Sequence, residues 1–140
     1  MNAPAAALPR PAADRRVVAG RILSGLVVLL LAMDAGGKLL APAAMIANSP
    51  PLGIPADTGF YRLLGTILAL CVALYAWPRT AVLGAILLTG YLGGAVAMHL
   101  RVGSPLVSAT LFGVYLGVMV WGGLWLRDSR VRDMLTGSAS

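Results

Sequence analysis

The stretch ILSGLVVLLLAMDAGGKLL, Ile22 to Leu40, decides which solvent this chain folds in. It is apolar as far as Met33, and at about 1.5 Å per helical residue it extends roughly 28 Å, close to the ~30 Å hydrocarbon thickness of a bilayer. Two charges, Asp34 and Lys38, interrupt its last turns. The whole chain agrees with a membrane reading. Of its 140 residues 59% are hydrophobic and 11% charged, and the mean hydropathy is +0.84, far from the balance of an ordinary soluble domain.

Before this stretch lies MNAPAAALPRPAADRR, rich in Ala and Pro and without apolar periodicity, which predicts a disordered tail over 1–16. A cleaved leader is the rival reading of this end; it is disfavoured because no small-x-small site follows promptly. After the stretch, the loop APAAMIANSPPLGIPAD holds four prolines, too many for a continuous helix. Asp57 or Thr58 then caps a second helix running to Trp77, and Pro78 and Arg79 force a short turn into a third, 80–101. Ser104 as cap and Pro105 at the first helical position start the fourth, 105–126. The expected fold is an all-α integral membrane four-helix bundle. Its transmembrane domain is 17–132, with spans 22–40, 59–77, 80–101 and 105–126, and a flexible tail follows over 133–140.

Basic residues sort by side. Arg10, Arg15, Arg16, Arg21, Arg79, Arg127, Arg130 and Arg132 fall at one face, and Lys38, Arg62 and Arg101 at the other, a bias that puts both termini in the cytoplasm. These residues flank apolar segments instead of forming a stripe with interleaved aromatics, so the formal charge of +6 points to membrane orientation and not to nucleic acid. Small residues recur every four positions: Gly65, Ala69 and Ala73, then Gly90 and Gly94, then Ala109, Gly113 and Gly117. Such ridges let helices approach closely in lipid. They serve either packing within the chain, the favoured use, or a homo-oligomer. Tyr61, Tyr91, Trp77, Trp121 and Trp125 read as interface anchors.

Asp34, Lys38, Arg62, His99 and Arg101 all fall toward the outer end of three separate spans. Asp34 lies roughly 18 Å along its helix, within hydrocarbon depth, where a charge costs about 3 kcal/mol and most often lines a bundle interior. Lys38, four residues on, is placed for an ion pair with it. His99 closes a stripe with Leu88, Leu92 and Ala95 that is either a channel wall or ordinary core. One acid and three bases leave a surplus of about two positive charges, which suits an anion held by arginines, with His99 able to move a proton near neutral pH. The candidate assignment is therefore His99 as the catalytic residue, with Asp34, Lys38, Arg62 and Arg101 binding the ligand. The structural alternatives are snorkelling arginines, a purely structural Asp34–Lys38 pair and a satisfied histidine.

One histidine, one cysteine, no glutamate and five scattered aspartates give no metal-ligand spacing, and the lone Cys71 gives neither a disulfide nor a CxxC pair. With no intrinsic cofactor expected, any electrons come from the ligand or from a second protein.

Three segments, AMDAGGKLL ending at Leu40, TGYLGGAVAMHLRVGSPL from Thr89 to Leu106, and YLGVMVWGGLWLRDSRVR ending at Arg132, carry a family resemblance. With them the chain from Ile22 to Arg132 resembles the DoxX-like family of small bacterial membrane proteins. The resemblance implies a four-helix bundle in the bacterial cytoplasmic (inner) membrane. It also implies a link to quinone, since the wider group is named for a subunit associated with thiosulfate:quinone oxidoreductase. It assigns no catalytic set, so His99, Arg101, Asp34 and Lys38 carry over as motif positions only. Two functions follow as expectations. One is a quinone- or small-anion-binding component of a membrane redox system, working with a redox partner protein. The other is a non-catalytic subunit or assembly factor of a larger membrane complex.

Overall fold

In a computed structural model, which describes residues 12–41, 43–47, 53 and 55–137, six α-helices and one π-helical turn follow one another along the chain. They are α1 (Ala12–Leu40), α2 (Ala43–Ala47), α3 (Thr58–Ala76), α4 (Ala81–Arg101), a π-helical turn (Leu106–Thr110), α5 (Phe112–Arg127) and α6 (Ser129–Thr136). Four segments are long and apolar enough to cross a membrane: Arg15–Leu40, Thr58–Ala76, Ala81–Arg101 and Leu106–Arg127.

These four run up and down in a ring. α1 packs on α3 and α5, and α4 packs on the same two from the other side. One end of the bundle therefore carries both termini and the α3–α4 turn, and the opposite end carries the loop after α1 and the α4–α5 turn. The outside is apolar, with Ile22 67%, Met33 68% and Val118 68% exposed, as expected of helices that lipid covers. Inside, Val27, Leu68, Leu88 and Val120 form the centre of the core.

Local chemistry sets most boundaries. Asp57 caps α3, its Oδ2 accepting from the Phe60 N–H at 3.0 Å. Thr80 closes the α3–α4 turn through its hydroxyl to the Leu74 carbonyl at 2.8 Å. Asp128 caps α6 by accepting from the Arg130 N–H at 2.9 Å.

Three expectations need correction. Residues 12–16, expected in a disordered tail, are the first turns of α1, because the last proline of the tail is Pro11 and the Ala and Arg residues beyond it are good helix formers. Residues 133–136, expected to be flexible, end α6, which docks through the buried Val131. Residues 1–11 and 138–140 of the two tails lie outside the described residues. The fourth span does not begin as a regular helix capped by Ser104. Its first turn is π-helical, with the Thr110 N–H donating to the Pro105 carbonyl at 3.1 Å and the Leu111 N–H to the Leu106 carbonyl at 2.8 Å. Ser104 is not a cap because its hydroxyl is committed to His99.

Candidate functional site

The candidate residues sit at the end of the bundle opposite the start of α1, and short-range contacts fix Asp34, Lys38 and His99. Asp34 and Lys38 are one turn apart on α1, and the Lys38 ammonium contacts both Asp34 carboxylate oxygens. The Lys38 stem is partly enclosed because its Cβ lies over Gly65 of α3. Lys38 is thus set at the α1/α3 seam, whereas Asp34 is exposed and does not line the bundle interior as its depth suggested; the two charges cancel within one helix face.

His99 is half-buried in the last turn of α4, and the next residues fold back on it. The Ser104 N–H donates to the His99 carbonyl at 3.0 Å, and the Ser104 hydroxyl pairs with His99 Nδ1 at 3.0 Å. A glycine makes this turn possible: Gly103 has φ +69°, the left-handed region that side chains disfavour. The Thr110 hydroxyl donates to the Ser104 carbonyl at 3.3 Å, so the π-helical turn braces the histidine from behind. With Nδ1 engaged, Nε2 is the ring nitrogen that makes no hydrogen bond among the described residues. Below His99 on α4, Leu88 and Leu92 are buried among apolar side chains. The His99 stripe is core and not a channel wall.

Arg101 ends α4, and its guanidinium lies against Gly53 in the loop after α1, where a Cβ would collide with Nη2. Gly53 has φ +68°, so this close approach and the backbone conformation both call for glycine. Arg62 is exposed on the first turns of α3, and its carbonyl accepts from the Thr66 hydroxyl at 2.8 Å. Among the described residues, no hydrogen bond or ion pair joins the Asp34–Lys38 pair to His99 or to Arg62. Asp57, the α3 cap, lies at this same end. Counting it, three bases face two acids, and the surplus of two positive charges expected from the sequence becomes one.

A second polar node, not anticipated from the sequence, lies deep in the bundle. Tyr75 of α3 is fully buried. Its hydroxyl donates to the Val120 carbonyl of α5 at 2.9 Å and meets the Ser24 hydroxyl of α1 at 3.0 Å. Arg127 lies over the Tyr75 ring at 5.2 Å from its centroid and donates to the Tyr75 carbonyl at 3.3 Å. Gly123 makes room for the hydroxyls, since a Cβ there would lie 2.5 Å from Ser24 Oγ. The available signal was a lone serine in an apolar run and a tyrosine on another span at matching depth.

Tyr61 and Tyr91 are buried and half-buried, unlike the exposed Trp77, so the two tyrosines are packing residues and not interface anchors. Nor do the glycine ridges act as units. Gly65 and Gly113 abut neighbouring helices, whereas a Cβ on Gly90, Gly94 or Gly117 would meet nothing within 4 Å. A groove of about 670 Å³ between α4 and α5 is lined by none of the five candidate residues.

A family model described as the DoxX-like family matches residues 22–123. The chain belongs to the DoxX-like family. The matched region contains Asp34, Lys38, Arg62, His99 and Arg101, and it stops short of α6 and of Arg132, where the resembling segments end. No curated protein and no solved structure matches the chain. As a DoxX-like protein with four apolar spans, it is a multi-pass membrane protein.

Proposed function

We propose that this DoxX-like protein binds a small anionic or quinone-like molecule at the end of the bundle opposite its termini, as one component of a membrane redox system. The observation that carries this reading is the His99–Ser104 turn, which orients the imidazole through Nδ1 and leaves Nε2 for a ligand. Arg101 and Arg62 supply cationic donors of the kind that suit a quinone oxygen or an oxyanion. Asp34 and Lys38, mutually neutralised, fix the local field and add little net charge. Oxidation of a bound quinol to the quinone releases two electrons and two protons: the electrons pass to the redox group of a partner protein, His99 takes up one proton, and the other leaves to water at the bundle end. The eight-to-three distribution of basic residues supports an orientation with both termini in the cytoplasm, which puts this site at the outer leaflet. Within a bacterium, that membrane is the cytoplasmic one.

A second reading rests on Gly90 and Gly94, where an added Cβ would meet nothing within 4 Å among the described residues. A non-catalytic subunit packing on a larger complex would use that side of α4.

Native mass spectrometry of the protein taken gently from its own membranes tests both readings, with His99→Ala and Arg101→Ala beside the parent. A small molecule bound to the parent and lost from both variants is the expected result. If all three retain the same small molecules, the site reading fails. A stable protein partner on all three, with no small molecule, favours the subunit.

A further inference from the structure

The α4/α5 groove stands apart from the proposed ligand site and does not depend on that reading. Its walls come from Gly93 and Val96 of α4, Gly113, Gly117 and Trp125 of α5, and Leu135 of α6. At one end the helices touch, since a Cβ on Gly113 would lie 2.9 Å from Val96 Cγ2 and 3.1 Å from the Leu92 carbonyl oxygen. Along the rest, a Cβ on Gly93 or Gly117 would meet nothing from neighbouring elements within 4 Å among the described residues. The groove's polar lining is already satisfied: the Trp121 indole donates to the Thr89 hydroxyl at 2.9 Å, and that hydroxyl donates to the Ala85 carbonyl at 2.8 Å. What remains is a surface suited to hydrocarbon.

Its other end is cationic. Arg132 of α6 lies over the Trp125 ring at 5.5 Å from its centroid, with Nε and Nη2 donating to the Trp125 carbonyl at 3.3 Å and Nη2 also to the Leu126 carbonyl at 3.4 Å. These bonds leave Nη1. Val131 is buried beside it and Leu135 reaches the groove, so α6 lies where an amphipathic helix meets a membrane surface. The sequence puts eight arginines and three aspartates on this side of the bundle, a charge balance complementary to anionic headgroups. From Gly113 to Trp125 the groove runs about 18 Å at 1.5 Å per residue. That is close to one leaflet, half of a hydrocarbon core of about 30 Å.

We propose that the α4/α5 groove holds one acyl chain of an anionic phospholipid from the leaflet on the side of the termini, with its phosphate at Arg132. An uncharged second helix would fill the glycines but gain nothing from the arginine at the mouth; a phosphate on a hydrocarbon chain uses both.

The test is fluorescence quenching of the full-length protein, in a Trp77→Phe background, in phosphatidylcholine vesicles doped with either phosphatidylglycerol or phosphatidylcholine brominated on the acyl chain. Trp121 and Trp125 should be quenched by the brominated phosphatidylglycerol at about a fivefold lower mole fraction than by the brominated phosphatidylcholine. Arg132→Gln should remove that preference. Because Arg132 also holds the Trp125 carbonyl, Gly117→Leu serves as the second variant. It fills open space and should lower quenching by both lipids. Equal quenching by the two lipids in the parent would overturn the proposal. So would a dimer, trapped by crosslinking in the vesicles, that Gly117→Leu dissociates, since a second copy would then occupy the groove.

Discussion

The two ends of the bundle use polar groups in opposite ways. Around Tyr75 every polar contact reaches across the fold: Ser24 to Tyr75, Tyr75 to Val120 and Arg127 to Tyr75 join residues 51, 45 and 52 positions apart. At the other end, the side-chain bonds of Asp34–Lys38, Thr66–Arg62 and His99–Ser104 span only 4, 4 and 5 positions. Long-range bonds tie helices together, and short-range bonds orient a side chain on its own helix or turn. The Tyr75 node is thus part of what holds the fold, while the Asp34–Lys38 pair and the His99–Ser104 turn can change without releasing the helices.

The difference can be broken by substitution. Gly84→Val should have the largest effect, because its Cβ would overlap the Tyr75 backbone, which a rotamer change cannot relieve. A loss of about 3 kcal/mol or more is expected. It can be read from the reactivity of the single, buried Cys71 toward a thiol dye during a temperature ramp in detergent. Parent-like protection of Cys71 would mean that α3 and α4 are not locked at this contact.

Tyr75→Phe comes next, at about 2 kcal/mol, since it strands the Ser24 hydroxyl in the core. Adding Ser24→Ala should cost little more, because the two hydroxyls act as a pair. Fully additive losses in the same assay would show that they do not.

At the other end, Asp34→Ala should cost on the order of 1 kcal/mol by leaving Lys38 without its partner in the α1/α3 seam. The double variant with Lys38→Ala should recover part of that loss. A double variant less stable than Asp34→Ala would place Lys38 among the groups holding the fold. The smallest effect on stability belongs to His99→Ala, within about 0.5 kcal/mol, even though it should abolish ligand retention. A collapse in stability would move His99 to the structural side of the divide.

The sequence was most legible where a signal was local. Asp57 caps α3 through the Phe60 N–H, Asp34 and Lys38 pair one turn apart, and four apolar runs became four helices. Legibility failed where a residue had two local options. Ser104 reads as an N-cap, yet its hydroxyl goes back to His99, because the left-handed Gly103 turns the chain toward α4. The charge at the candidate end differs from the sequence expectation for another reason: Asp57 caps α3 and also counts in the balance at that end.

By itself, then, the sequence determined a four-span membrane bundle, its helix ends to within a few residues at most of them, and the polar residues gathered at one end. Hydropathy, helix length and capping are properties of neighbours along the chain. Tertiary structure alone decided which glycines matter. Gly84 and Gly123, outside the four-residue ridges, make contacts at least as tight as those of Gly65 and Gly113 on them, while a Cβ on Gly90, Gly94 or Gly117 would meet nothing within 4 Å among the described residues. It alone also paired Ser24 with Tyr75. The physical reason is the same in both cases: a small residue or a buried hydroxyl takes its meaning from the helix opposite, and the order of helices around the ring is not written along any one of them.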